Sequence, residues 1–394
     1  MRGRAEGQEP LFHVFSVESR IRRDHPLRGL KRIVDRILKE LSPLLGKAYS
    51  SIGRPSVPPE RLLKALLLMA LYSIRSERQL VERIDTDLLF RWFLDMLPEE
   101  DVFDATAFTH NRPRLDEQGV TAAFFDAVLR KAVEAGLCSD EHFSVDGTLI
   151  ESYASIKSFR PKDETDESDK SESDKSDRQQ HKDSNSFKPR NAEVDFHGQK
   201  RTNETHASRT DPEAKLYRKG NGKEAKLSHL GHALAENRHG LVMGVTTTEA
   251  NGTAECAAAL SMLDQLKKKH NLAPKTLGSD KGFDSGPFFL ELERRNIEPH
   301  CALANRPQPQ PEHVRKDRRA QVAARERMKD RVESIGYQLS QKCRKKAEEF
   351  FGWMKTVADL ARSRWVGRWK LQQQLELTAA AYNLVRMRKL LTPS

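Results

Sequence analysis

Apolar residues along the chain fall first into helical spacing. Pro58 and Pro59 open a helix at ERLLKALLLMALYS, because proline suits a helix's first turn. Its apolar residues lie almost all round, the pattern of a buried helix. Ser76 followed by Gln79 is a capping-box pattern that starts SERQLVERI. Phe90, Trp92, Phe93, Leu94 and Leu97 add an apolar patch. GVTAAFFDAVLRKAVEAG predicts a further helix that stops at Gly136, a suitable residue just past a helix end. Residues 1–137 therefore read as an all-helical N-terminal domain. It has room for a helix-turn-helix, but no recognition helix stands out.

The period then changes. EHFSVDGTLIES predicts a strand. AKLSHLGHALAEN and GLVMGVTTTEA predict two more, joined as a hairpin near Asn237 to Gly240. TAECAAALSMLDQLKKKH reads as a helix, KTLGSD as a strand, DSGPFFLELERRN as a helix and IEPHCAL as a strand. KCRKKAEEFFGWMKTVADL and LQQQLELTAAAYNLVRMRKLL predict two closing helices. Residues 138–394 thus read as a mixed α/β domain, a mixed sheet with helices on its faces. A charged stretch near 160–195 interrupts it. Between Asp163 and Arg190 there is no Val, Ile or Leu, so that stretch cannot offset its ordering entropy and is expected to be disordered.

Charge changes the picture at the C-terminus. Pro311 to Ser394 holds 20 Lys and Arg against 9 Asp and Glu, which equals the formal net charge of +11 of the whole chain. A basic, proline-rich segment near 304–335 opens this region. Concentrated positive charge suggests a polyanion such as nucleic acid, while the bland reading is a solvated surface. The four cysteines, Cys138, Cys256, Cys301 and Cys343, form no CxxC pair. That argues against a structural zinc site or a disulfide framework and fits a reducing cytoplasm. MRGRAEGQEP lacks the apolar core of a signal peptide, and Leu62 to Leu71 contains Lys64 and is too short to span a bilayer. No membrane association is expected.

Candidate chemistry centres on carboxylates. Asp146 interrupts an apolar strand, where an unpaired buried carboxylate costs several kcal/mol or more. Asp280 ends a later strand in LGSDKGFD, with Gly282 permitting a tight turn. Catalytic groups in such sheets lie at the carboxyl ends of strands. Glu348 lies on the first closing helix. Three carboxylates on two strands and a helix can converge, and oxygen-only ligands favour Mg²⁺ or Mn²⁺. Taken singly, Asp146 also suits a turn, Asp280 a helix cap and Glu348 an exposed helix charge. His229 and His232, with His197 and His206, are ordinary polar positions on this reading, since a period of three does not put two histidines on one face of a strand. LYRKGNGKEAKL, with Gly220 and Gly222, lacks the P-loop pattern and reads as a basic turn near DNA; no nucleotide cofactor is expected. Trp365 and Trp369 lie among basic residues and suit base stacking, whereas Trp353 suits core packing.

The chain resembles a bacterial DDE transposase of the insertion-sequence-five family. The likeness runs through GRPSVPPERLLKALLL, YSIRSERQLVERI, LLFRWFLDM, DATAFTHNRPRL, HFSVDGTLIES, KSFRPKD, GHALAENRHGLV, LGSDKGFD, RKKAEEFFGWMKT and LTAAAYNLVRM. It covers nearly all of the chain outside the charged insert. The resemblance implies an RNase H-like catalytic domain. It puts the metal-binding, catalytic triad on Asp146, Asp280 and Glu348, with two Mg²⁺ ions for which Mn²⁺ can substitute. The family's third motif, tyrosine, arginine, glutamate and lysine in fixed spacing, fits Arg344, Glu348 and Lys355. Gln341 stands at the tyrosine position, a departure. Residues four and seven apart share a helix face, so Arg344 and Lys355 are expected to flank Glu348 and hold DNA phosphates. The implied function is binding of the element's inverted repeats by a homo-oligomer, then metal-dependent cleavage and strand transfer into target double-stranded DNA. The rivals are an RNase H-like nuclease without strand transfer and a non-catalytic DNA-binding regulator.

Overall fold

The computed structural model describes residues 16–50, 52–53, 55–162, 201–218, 224–306 and 314–391. The charged insert beyond its first residues, His197, and the turn at Gly220 and Gly222 lie outside the described residues. Two compact units are present. One comprises the chain up to Leu137, Thr356–Asp359 and Leu377 onwards; the other comprises Cys138–Lys355 and Leu360–Glu376.

The first unit is helical. It contains α1 (Val17–Arg20), α2 (Pro26–Lys47), α3 (Pro59–Leu71), α4 (Glu77–Thr86), α5 (Leu88–Phe93), α6 (Thr106–Glu117) and α7 (Val120–Glu134). As its all-round apolar pattern predicts, α3 buries Leu62, Leu63, Ala65, Leu67 and Leu68. Lys64 on the same helix is buried too, and its ammonium is paired with Asp35 and Asp95. Ser76 caps α4 by accepting from the Gln79 N–H at 3.2 Å. Gly136, with φ +69, follows α7. Neither α2 nor α6 stands out in the sequence, because each contains a proline, Pro43 or Pro113. Proline removes one backbone bond. In α2 the burial of Leu27, Leu30, Val34, Ile37, Leu38 and Leu45 outweighs that loss.

The second unit is a mixed sheet between helices. Its strands are β1 (His142–Glu151), β4 (Lys215–Tyr217), β5 (Lys226–Glu236), β6 (Val242–Glu249), β7 (Thr276–Ser279) and β8 (Glu298–Cys301), with the short pair β2 (Phe159–Pro161) and β3 (His206–Ser208) apart from them. Along the sheet, β5 pairs antiparallel with β1, β4 and β6, while β7 runs parallel to β1 and β8 parallel to β7. Three antiparallel strands followed by two parallel ones is the RNase H-like arrangement that the resemblance implies. The β5–β6 hairpin turns where the sequence placed it. The first residues of the charged stretch, expected to be disordered, are instead ordered through Pro161 in β2, because Phe159 is buried against Ala154, Ala214 and Leu227.

Helices α8 (Ala254–His270), α9 (Gly286–Arg294), α10 (Lys316–Arg331), α11 (Ile335–Cys343), α12 (Lys345–Thr356) and α13 (Arg368–Leu391) complete the chain. On one sheet face α8 packs so closely that a Cβ on Gly244 would lie 3.4 Å from Met262. On the other face the first half of α13 bonds the sheet, Gln372 Oε1 accepting from the Thr247 N–H at 2.7 Å. The basic segment before α11 holds a helix, α10, that the proline-rich start of the segment conceals in the sequence. Much of its charge is spent inside the fold: Arg325 pairs with Asp284, Arg327 with Glu293 and Arg331 with Glu298. The predicted continuous helix around Glu348 is divided at Arg344, where Ala347 N–H bonds back to the Arg344 carbonyl at 3.1 Å, the tighter spacing of a 3₁₀ turn.

Candidate active site

Strand alternation sorts β1 into two faces. Ser144, Asp146 and Thr148 share one; Val145 and Gly147 share the other. The first face lies beneath α11 and α12: Ser340 of α11 sits beside Ser144 over Gly278, and the Lys355 ammonium of α12 donates to Thr148 Oγ1. Asp146 therefore points under the helices that carry Arg344, Glu348 and Lys355.

The parallel register brings in Asp280. The last pair of that register is Ser144 with Gly278. Two residues further on stand Asp146, still within β1, and Asp280, just past the end of β7. Here β7 ends, and Asp280 turns the chain by accepting from the Gly282 N–H at 2.8 Å. So the cap reading of Asp280 and its place at a strand's carboxyl end both hold. Asp146 is not a turn residue: it pairs within the ladder with Ala233 and accepts from the Gly147 N–H at 2.8 Å.

The electrostatics report the same neighbourhood. Burial is the chief force raising the Asp146 carboxyl from 3.8 to about 6; the Gly147 N–H and Arg344 oppose the rise, while Asp280 and Glu348 add to it. Glu348 is half exposed, with Arg344 Nη2 3.6 Å from its carboxylate. Arg344 and Lys355 thus reach the site from either side of Glu348, across the break between α11 and α12.

A fourth carboxylate lies here that sequence reasoning did not single out. Glu255 stands in the first turn of α8. Its two oxygens straddle two glycines: a Cβ on Gly147 would lie 3.0 Å from Oε1, and a Cβ on Gly282 would lie 2.9 Å from Oε2. Burial, then Asp280 and Asp146, push its pKa up. An acidic residue in a helix's first turn is ordinary, which is why the sequence did not mark it.

His206, His229 and His232 do not converge. His229 Nε2 bonds Asp211 at 3.0 Å in a buried network with Ser152, His206 stacks on Phe159, and His232 Nε2 bonds Thr248 at 2.8 Å on the face of β5 opposite His229. Trp369 is partly exposed, with the Lys370 ammonium 5.1 Å from its ring centre.

The pattern that defines the family described as "Transposase DDE domain" matches residues 140–384, more than half of the sequence. The chain belongs to this transposase family. The helical part matches a second pattern, "Transposase domain (DUF772)", over residues 15–114. No curated protein is significantly similar to the chain. Two solved structures match: the Mos1 Strand Transfer Complex, at 12% identity over 80% of this chain and 82% of the other with a TM-score of 0.20, and a pre-cleavage Mos1 transpososome, at 13% identity with the same coverage and TM-score. At that TM-score neither likeness carries weight.

Transposases of the DDE family generally use divalent metal ions, usually Mg²⁺, and the donors here suit one. They are carboxylate oxygens, the ligands that hard cations prefer, around a crevice that a Cβ on Gly147 or Gly282 would fill. They do not form a closed cage: among the described residues no group of three or more His, Cys, Asp or Glu is gathered tightly enough to hold a metal. Like charges resist gathering, and the Glu348 carboxylate leans on Arg344 instead. Among the described residues no helix is long and apolar enough to cross a membrane.

Proposed function

We propose that this transposase binds the inverted-repeat ends of its element as an oligomer, cleaves them and joins them to target DNA, with Asp146, Asp280 and Glu348 holding two Mg²⁺ ions. The observation that carries the reading is that Asp146 on β1 and Asp280 in the turn just beyond β7 border one crevice at Gly147 and Gly282, with the Asp280 and Glu348 charges felt at Asp146. When bound, a pair of such ions activates water and stabilises the leaving oxygen in phosphodiester cleavage.

The chain's own residues supply the rest. Asp146 is held in the ladder with Ala233 of β5, so its carboxylate keeps its place as DNA arrives. Asp280 is fixed by the Gly282 N–H in the turn beyond β7. Lys355, anchored on Thr148, and Arg344, beside Glu348, offer cations to the phosphates flanking the scissile bond. The exposed basic residues Lys316, Arg318 and Arg319 of α10 add sequence-independent, salt-dependent attraction. The helical N-terminal unit is the part we assign to recognition of the ends.

The test is a set of three variants, Asp146→Ala, Asp280→Ala and Glu348→Ala, assayed on labelled element-end DNA with Mg²⁺. Each is expected to abolish cleavage and strand transfer while leaving end binding within a few-fold of the parent. Full activity in any one removes that residue from the site. Cleavage without joined products would mark a nuclease, and unchanged behaviour in all three a DNA-binding regulator.

A further inference from the structure

Glu255 has no role in the triad, yet the fold brings it there from the other side of the sheet. Gly147 faces α8, opposite to Asp146. Beyond Ser144 no paired residue of β7 lies alongside β1, so the two faces communicate past the end of β7. Glu255 reaches into that opening. One oxygen lies against Gly147 and the other against Gly282, whose own hypothetical Cβ would lie 3.0 Å from Asp280 Oδ1. The side chain therefore spans from the residue after Asp146 to the turn that Asp280 caps.

A second observation points to the same spot. His232 on β5 lies directly across from Gly147 and is fully buried. Its Nε2 bonds Thr248, but its Nδ1 has no hydrogen-bond partner. That nitrogen lies 3.3 Å from where a Gly147 Cβ would stand, against 3.0 Å for Glu255 Oε1. An unpaired buried polar atom is unfavourable. Here it is aimed at the space that Glu255 enters, where it can brace the carboxylate or a water molecule bound to it. Two glycines keep the space clear and a carboxylate crosses it.

We propose that Glu255 is a fourth oxygen donor to the divalent-metal site, supplied by α8 from the face opposite Asp146 and braced by His232. The inference rests on the reading of Asp146 and Asp280 as metal-holding residues. The bland alternative is that Glu255 only complements the positive end of α8.

Mn²⁺ binding to the full chain, without DNA and without turnover, separates these. Isothermal titration or the electron paramagnetic resonance signal of free Mn²⁺ would be followed for the parent, Glu255→Gln and Asp146→Asn. Glu255→Gln keeps shape and removes the charge. Support would be a loss of Mn²⁺ affinity of at least about tenfold in Glu255→Gln, the scale seen even for groups that only orient metal ligands. The melting temperature of the metal-free variant would equal or exceed that of the parent, because a charge repelling Asp280 and Asp146 is gone. If Asp146→Asn weakens binding while Glu255→Gln stays within twofold of the parent, Glu255 is not a donor and the triad stands. If neither variant changes affinity, the metal-site reading itself falls, and this inference with it. A lower metal-free melting temperature with unchanged affinity assigns Glu255 to the helix end and overturns the proposal.

Discussion

The raised pKa of Asp146 has a thermodynamic consequence that can be measured without DNA. In the folded chain its carboxyl titrates at about 6, against 3.8 for the ordinary group. Each pKa unit corresponds to about 1.4 kcal/mol, so ionising Asp146 costs the folded state about 3 kcal/mol. The sign follows from linkage. A folded pKa above the unfolded one contributes stability that is complete below pH ~4 and is lost as pH rises toward ~6. Asp146→Asn keeps the acceptor for the Gly147 N–H and cannot ionise. In chelator-treated protein at pH 7.5 it should therefore be more stable than the parent by up to about 3 kcal/mol. For a unit of this size, that raises the melting temperature by roughly 6–12 °C at most. The gain should shrink to about a third of that at pH 4.5. Adding Mg²⁺ should close the gap at pH 7.5 by stabilising only the parent. Thermal melts of both proteins at the two pH values, with and without Mg²⁺, test all of this. A variant less stable than the parent at pH 7.5, or a gap indifferent to pH, would refute the view of Asp146 as a buried carboxylate among like charges.

Asp284 should show the opposite pH sign. Burial raises its pKa, but hydrogen bonds from Arg325 at 2.8 Å and the Ala304 N–H at 2.9 Å outweigh that and hold it below the usual range. Its contribution is present above pH ~4 and fades as pH falls, and Asp284→Ala, which takes the carboxylate partner from a largely buried Arg325 and leaves it the Ala304 carbonyl, should cost about 1.5–3 kcal/mol in urea unfolding at pH 7. Gly286→Ala should destabilise the contact of α9 with α10 by about 1–3 kcal/mol, since its Cβ would lie 2.6 Å from the Gln321 carbonyl oxygen and backbone cannot swing aside; a melt within 1 °C of the parent would contradict the close approach. Lys355→Met should weaken binding to DNA of any sequence and reduce the slope of log affinity against log salt by about one unit. An unchanged slope would place Lys355 away from the phosphates.

Legibility in the sequence followed the strength of the local pattern. Strands β1, β5, β6, β7 and β8 were readable because they carry apolar residues bounded by turn signals, and β5 proves buried from Leu227 to Glu236; the three-residue strands β2, β3 and β4 were too short to show a pattern. Helices with ordinary caps, such as α4 and α7, were readable as well. Among the helices that escaped, α2, α6 and α10 contain a proline or follow a proline-rich stretch, and their formation is decided by burial or ion pairs with distant segments. Arg325 of α10 finds its partner at Asp284, 41 residues away. No local window contains that information. The basic C-terminal region is a related case. Its composition is visible at once, but how many of those charges meet carboxylates inside the fold depends on packing.

The candidate site divides along the same line. Asp146 and Asp280 declare themselves because each is out of place locally, one inside an apolar strand and one before a glycine turn. Glu348 and Arg344 needed the spacing of a motif, and the chain preserves their pairing even though the helix breaks between α11 and α12. Glu255 is locally ordinary, an acid in the first turn of a helix, and only the crossing of α8 over Gly147 gives it a different meaning. The charges then make a simple account. Asp146, Asp280, Glu348 and Glu255 bring four negative groups to one crevice, and Arg344 and Lys355 bring two positive ones. The residual negative charge lies where Asp146 is already reluctant to ionise, so the fold on its own does not satisfy it. On the proposed reading, divalent cations and the phosphates that come with them would complete the balance together: the cations would answer the carboxylates, and the two basic side chains would be left to answer the DNA.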